Sequence, residues 1–436
     1  MSARRDISVY DRMCWPPDQI EAALATGAHH RELLAYFGRR EYELLSELAR
    51  SAVSARRRAA RGARPKVYLL PGMLGSQLGW PRRGGQPPDL LWLDPSDVVR
   101  GRLSSLRLSR PRRLQVGPLP PLRPLGIIPY TYLRLKLRLE ASGLEVVVHD
   151  YDWRLSLETL AQALARRLER DSAPRLALVG HSMGGLLARA VLNHCSRRTR
   201  QRIVKLIGIG APYGGAIGAA QVLRATYPVL LRLAAIDRFN KPETLSATFR
   251  AFASLYQMLP SAQLGSLNLF ASSGWPRRGP GPDPVLLATA RRFLAALPAA
   301  DERYVAIVGT GQRTVTGIER RGAQFRYEVS AAGDGTVATA AAALAGASHY
   351  CLRCEHSQLP REARVANAIT ELLQHGTTTA LRAGVHARKG RSVYVTDAQL
   401  RRTLGRKIDW HALGPASRRH YLNALNAPPA SYRPRR

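Results

Sequence analysis

The stretch Arg175–Leu192, RLALVGHSMGGLLARAVL, constrains the fold more than any other part of the chain. An apolar run stops at Gly180, shows one small hydroxyl at Ser182, and resumes at once as a second apolar run. That pattern predicts a strand, a tight turn that lifts Ser182 clear of the backbone, and a helix behind it. Gly180-His181-Ser182-Met183-Gly184 satisfies G-x-S-x-G, where small residues flank the serine because the strained backbone passes close to the strand and helix around it. The pentapeptide alone is common. Its setting, with RLALV before it and the amphipathic LLARAVL after it, makes Ser182 a candidate nucleophile. The helix would aim its first N–H groups at charge forming near Ser182, so the Met183 N–H is a candidate oxyanion donor.

The surroundings repeat the alternation. KVYLLPG and LEVVVHDYDWR read as strands, and SLETLAQALARRLERD reads as a helix capped by Ser156, with Leu157, Leu160, Ala161, Leu164 and Leu168 on one face. RIVKLIGIGAPYGG is a strand ending in a glycine-rich turn, and RYVAIVGTG and FRYEVS are further strands. Continuously apolar strands alternating with helices predict an α/β fold, a mostly parallel sheet with helices on both faces. Ala216 to Ala300 breaks the alternation with apolar helices and proline breaks. REARVANAITELLQHG reads as a closing helix stopped by Gly376. The expected organisation is a helical extension and linker over residues 1–64, a main domain over 65–376 with 216–300 as a lid or cap insertion, and a basic tail over 377–436. Arg100 to Gly126, rich in arginine and proline, reads as an irregular insertion.

A serine on such a turn is followed along the chain by an acid and then a histidine. Asp334, in VSAAGDGTVATA directly after a predicted strand, is the candidate acid, against the simpler reading of an aspartate in an ordinary glycine-flanked turn. His356, just before the closing helix, is the preferred base, and His349 is the alternative. His181 is expected to pack, and His149 has the wrong chain order. A second oxyanion donor is expected from the loop after the first strand, LLPGMLGSQL, as the N–H of Met73 or of Leu74.

Composition limits the remaining possibilities. With 45% apolar and 22% charged residues, the 436-residue chain is globular in type. Its net charge of +35 predicts affinity for polyanionic surfaces. Nearly all the cations are arginine, however, the lysines being Lys66, Lys136, Lys205, Lys241, Lys389 and Lys407. A skewed base composition in the genome produces the same bias, so nucleic acid is not the expected main partner. The start of the chain brings Asp6, Asp11 and two prolines where a signal peptide needs an apolar stretch, and Arg232 interrupts the best candidate span. A cytoplasmic location is expected, with any membrane contact peripheral. Four scattered cysteines fit a reducing compartment. Cys351 and Cys354 form a lone C-x-x-C without a second ligand pair, so neither a metal nor another cofactor is expected.

PGMLGS (Pro71–Ser76), YDWR (Tyr151–Arg154), GHSMGG (Gly180–Gly185), GAPYGG (Gly210–Gly215), GDGTV (Gly333–Val337) and the late His356 occur in that order. As a set, from Lys66 to Gly376, they resemble the lecithin:cholesterol acyltransferase and lysosomal phospholipase A2 family of α/β-hydrolases. The resemblance implies a hydrolase or acyltransferase on ester-linked fatty acyl chains, with a lid over its pocket. It implies Ser182 as nucleophile, Asp334 as orienting acid, His356 as general base and Met73 with Met183 as the oxyanion hole. Asp152 and Arg154 would pair and brace the scaffold, and Gly180 and Gly184 would keep the turn tight. The signal peptide and disulfide-closed lid of secreted members are not recognisable in this sequence. A phospholipid or similar lipid ester is the expected substrate, at an anionic membrane or inclusion surface. The alternatives are a non-enzymatic basic binding module on the same scaffold, and an esterase or thioesterase acting on polyester or small hydrophobic substrates.

Overall fold

The computed structural model describes residues 15–58, 64–82, 88–108, 121–261, 264, 267–386, 390–404 and 407–432. Cys14, the start of the chain and the middle of both the basic linker and the Arg/Pro insertion lie outside them.

Thirteen strands are described: β1 (Lys66–Leu70), β2 (Ser76–Trp80), β3 (Asp89–Trp92), β4 (Arg123–Ile127), β5 (Val146–Val148), β6 (Leu176–His181), β7 (Ile203–Ile209), β8 (Tyr304–Thr310), β9 (Thr314–Arg321), β10 (Gln324–Ser330), β11 (Ser348–Arg353), β12 (Arg382–Ala383) and β13 (Val393–Thr396). Among the described residues, seven form the central sheet in the order β12-β11-β8-β7-β6-β1-β5. All its pairings are parallel except the one to β12. β6 is buried along its whole length, as a strand covered on both faces must be. The α/β architecture is the one the alternation predicts.

The helices before β6 are α1 (Pro17–Thr26), α2 (His30–Phe37), α3 (Arg39–Arg58), α4 (Pro95–Val99), α5 (Pro129–Ala141) and α6 (Leu157–Arg170). In α6 the Ser156 hydroxyl accepts the Thr159 N–H and the five predicted positions are buried. One core lies between α6 and the sheet, and another lies between the opposite face, α5 and the closing helix. α5 packs on two sides at once. Leu135 and Leu139 face the sheet, while Leu133 and Leu137 join Ile20, Leu24, Leu45 and Ala49 of α1 and α3.

After β6 come α7 (Met183–Ala190), α8 (Arg197–Arg202), α9 (Ile217–Leu223), α10 (Pro228–Ile236), α11 (Pro242–Phe249), α12 (Ala253–Tyr256) and α13 (Pro284–Ala295). The last four described helices are α14 (Thr339–Ala342), α15 (Ala363–His375), α16 (Asp397–Leu404) and α17 (Pro415–Asn423). Gly376 closes α15 in the left-handed conformation, φ 80°.

Three features differ from the sequence reading. The stretch read as irregular contains β4, which pairs with β2 in a small antiparallel sheet ordered β3-β2-β4. The strand FRYEVS, β10, lies outside the central sheet, in a second small sheet ordered β13-β10-β9. Its third strand comes from the basic tail, which also covers α10, where the Ile408 N–H donates to the Ala235 carbonyl at 2.9 Å. No described helix is long and apolar enough to cross a membrane.

Candidate active site

The parallel registers bring the expected residues to one edge. Leu70 of β1 pairs with Gly180 of β6, and His181 pairs with Ile209 of β7, so Pro71–Gly72 and Ser182 leave the sheet side by side at the carboxyl ends of the strands. Open α/β sheets bind their ligands at this edge. Ser182 has φ 54° and ψ −124°, the strained conformation of a nucleophile turn, and its N–H donates to the Ile209 carbonyl at 2.9 Å. Steric crowding explains both flanking glycines. A Cβ on Gly180 would lie 2.3 Å from the Gly184 backbone, and one on Gly184 would lie 2.3 Å from the Leu70 carbonyl oxygen.

Asp334 arrives by an excursion. β8 ends at Thr310, the β9–β10 hairpin departs and returns, and Asp334 bridges back to Gln312 beside the end of β8. Its Oδ1 accepts the N–H groups of Thr336 (2.9 Å) and Val337 (2.7 Å), which fixes the carboxylate. Its Oδ2 lies 2.7 Å from His356 Nδ1, and its carbonyl accepts the His356 N–H at 2.8 Å. Asp334 is 2% exposed and His356 8%. His349 lies elsewhere, within β11, where its Nε2 accepts the Leu344 N–H at 3.1 Å. His149 is held by Arg167 at 3.0 Å, and burial followed by that cation pushes its pKa down to about 4.

Met183 is the first residue of α7, so its N–H faces the turn rather than an intrahelical acceptor. Met73 and Leu74 lie in a turn closed by the Gly75 N–H on the Gly72 carbonyl at 3.0 Å, with Leu74 at φ 64°. The YDWR segment supports this loop. Asp152 and Arg154 form a bidentate pair at 2.8 and 2.7 Å. Between them Trp153 donates its indole N–H to the Ser76 carbonyl at 3.0 Å, and the Tyr151 hydroxyl donates to the Pro71 carbonyl.

Two residues have roles that the pattern did not disclose. The Gly72 N–H donates to the Tyr132 hydroxyl at 2.8 Å, and that hydroxyl lies 2.9 Å from His181 Nδ1. His181 Nε2 in turn lies 3.1 Å from the His356 carbonyl oxygen. Because Tyr132 accepts from Gly72, its own proton goes to Nδ1, and the imidazole carries its proton on Nε2, toward the carbonyl. Burial, then His356 alongside, holds the His181 pKa well below the usual histidine value, so the ring is neutral. The chain of contacts joins the Met73 loop, the serine turn and the histidine loop. His181 could be suspected from its place in the pentapeptide; Tyr132 gives no local signal within its helix.

Cys351 and Cys354 pack into different cores, and burial raises the Cys354 thiol to about 12.

Ser182 and His356 share the wall of a solvent-open pocket with Gly72, Met73 and Leu74. The rest of its lining is mainly apolar, with Trp92, Ile128, Val222, Leu255 and Met258 among it.

A parallel sheet with helices on both faces, a strained serine turn at its carboxyl edge and a mainly apolar pocket over that turn define an α/β-hydrolase. Residues 141–277 match the lecithin:cholesterol acyltransferase family model. Over that segment, less than half of the chain, the sequence is similar to the lecithin:cholesterol acyltransferase family. The matched segment contains Asp152, Arg154, Ser182 and Met183; Met73, Asp334 and His356 lie outside it. The uncharacterized protein YJR098C of Saccharomyces cerevisiae is 38% identical over 85 residues, which is 18% of this chain and 12% of that protein. Among solved structures, the mature Bacillus licheniformis lipase BlEst2 is 12% identical with a TM-score of 0.38, over 74% of this chain and 95% of that one. A chain of the Tle4–Tli4 complex is 13% identical with a TM-score of 0.42, over 73% and 100%.

Proposed function

We propose that the protein cleaves fatty acyl esters of phospholipids or similar lipids through an acyl-enzyme on Ser182. In this reading His356 takes the Ser182 hydroxyl proton on Nε2 as Oγ attacks the ester carbonyl. Asp334 holds Nδ1–H and stabilises the imidazolium that forms. The N–H groups of Met73 and Met183 receive the oxyanion. Collapse of the tetrahedral intermediate expels the alcohol, which takes the proton from His356. Water or a second alcohol then attacks the acyl-enzyme by the same route in reverse.

The observation that carries the reading is the 2.7 Å contact between His356 Nδ1 and the buried Asp334 carboxylate, on the same mainly apolar pocket as Ser182. Residues 65–376 are taken as the catalytic domain, 216–300 as its cap, and 1–64 and 377–436 as additions to it. Contact with an anionic lipid surface belongs to the same reading. Phe239, 74% exposed, stands between Arg238 and Asn240-Lys241, an apolar side chain flanked by two cations.

Hydrolysis of p-nitrophenyl acyl esters from acetate to palmitate, with anionic and neutral phospholipid vesicles in parallel, tests the proposal on wild type and Ser182→Ala. Turnover that rises with chain length and with anionic vesicles, and falls by roughly a million-fold in Ser182→Ala, is the expected result. Absence of serine-dependent turnover on every ester and vesicle would move the assignment to a binding module.

A further inference from the structure

α17 and the turn after it lie outside both the matched segment and the motifs of the resemblance, yet they reach the pocket. Leu422, Leu425 and Asn426 line it together with Ser182 and His356. Leu425 is 5% exposed, as buried as a core residue, although its neighbours in sequence are polar or small. Val222 and Val229, at the ends of α9 and α10, supply the cap's side of the same space.

The segment is fixed from several directions. The Tyr421 hydroxyl donates to the Arg232 carbonyl at 2.8 Å, and Arg232 Nη1 donates to the Leu425 carbonyl at 2.5 Å, so α10 and the turn hold each other reciprocally. Arg419 Nη1 donates to the Ala35 carbonyl at 2.6 Å, tying α17 to α2. Farther along, the Tyr432 hydroxyl accepts from Gln221 Nε2 at 3.1 Å, and the Tyr432 carbonyl accepts from Arg313 Nε at 2.7 Å. Bonds made to backbone carbonyls fix the path of the segment.

We propose that residues 415–426 form a fixed wall of the acyl-chain pocket and that Leu425 sets the length or bulk of the chain that fits. This rests on the proposed function for the identity of the occupant, the apolar chain of the ester that acylates Ser182. A hydrocarbon chain placed there meets Leu422 and Leu425 together with Val222 and Val229. Each contact is short-ranged and depends on shape, so changing the volume at position 425 alters which chains are accepted.

The test compares wild type, Leu425→Trp and Leu425→Ala in the full chain by the ratio of kcat/KM for p-nitrophenyl palmitate to that for the acetate. Leu425→Trp is expected to lower the ratio roughly tenfold or more, and Leu425→Ala to raise it roughly threefold, the scale of one to a few methylenes in an apolar pocket. Ratios within twofold of wild type in both variants would overturn the proposal. If the tryptophan variant fails to fold, Leu425→Ala decides by the same criterion. A second arm needs no catalysis: cis-parinaric acid binding, read by its fluorescence, in Ser182→Ala with and without each change at 425. Binding weakened roughly tenfold by Leu425→Trp supports the wall, and unchanged binding in both variants refutes it. This arm stands even if wild type hydrolyses no ester, which would overturn the catalytic proposal alone.

Discussion

Tyr132 and His181 carry no reacting atom in the proposed mechanism, yet both link its parts. Tyr132→Phe removes the acceptor of the buried Gly72 N–H and the donor to His181 Nδ1. Leaving such groups unpaired costs about 1–3 kcal/mol. The expected result is a lower midpoint in urea denaturation and a kcat reduced roughly ten- to a hundred-fold at nearly unchanged KM, because the Met73 loop loses its tether. Unchanged kcat alongside lowered stability would leave the tyrosine a packing role only. Ser182 was legible in the sequence because every requirement of its turn is met within five residues. Tyr132 was not, because its partners stand 60 and 49 positions away and the alternating Leu133, Leu135, Leu137 and Leu139 of its own helix say nothing of them.

At the scale of elements, α5 mediates between the site and the helices before it. Lys136 is buried between Glu21 of α1 and Glu140, and Arg56 of α3 bonds the same two carboxylates. Burial, then the nearby Glu21 carboxylate, pushes the Glu140 pKa up to about 7. A carboxyl whose folded pKa lies above its unfolded value, about 4.3, favours the folded state most at low pH. Its contribution is fully present below the unfolded value and is lost as pH rises through about 7. Because the depressed His149 and His181 act in the opposite sense in both proteins, the test is the difference: the urea midpoint of wild type relative to Glu140→Gln is expected to fall between pH 5 and pH 8, and parallel profiles would refute this. A second ion pair carries the link to the histidine loop, where Glu41 of α3 meets Arg361 at 2.9 Å, five residues beyond His356. The three N-terminal helices and α6 were readable from periodicity and caps. β4 was not, because it is five residues long, includes a proline and gains its identity only by pairing with β2. β10 was readable as a strand, but nothing local tells an excursion hairpin from a strand of the main sheet.

On the scale of the whole molecule, the basic tail is the part the sequence described least well. It was read only as a basic tail, whereas its apolar and acidic residues, with Arg419 and Lys407, bind it in place. Asp397, at the start of α16, is completely buried and meets Arg224 at 3.1 Å, while accepting from the Tyr327 hydroxyl at 2.7 Å and the Phe325 N–H at 3.1 Å. One short helix thus joins Arg224, just after α9, to the β9–β10 hairpin that presents Asp334. Asp397→Ala leaves Arg224 charged and buried without its counter-ion, which costs about 3–5 kcal/mol. A fall of that size in urea denaturation is expected, and a change below about 1 kcal/mol would show that the Arg278 and Pro280 carbonyls, which also accept from Arg224, suffice.

Leu422 and Leu425 lie well after His356 in the order of synthesis. On the ribosome, Ser182, Asp334 and His356 are all made while the wall of the pocket is still to come. A nascent chain arrested just past residue 400 would hold the whole proposed triad without Leu422 and Leu425. If α17 walls the pocket as proposed, the selective pocket is complete only once α17 has docked, after every residue of the proposed triad has been made.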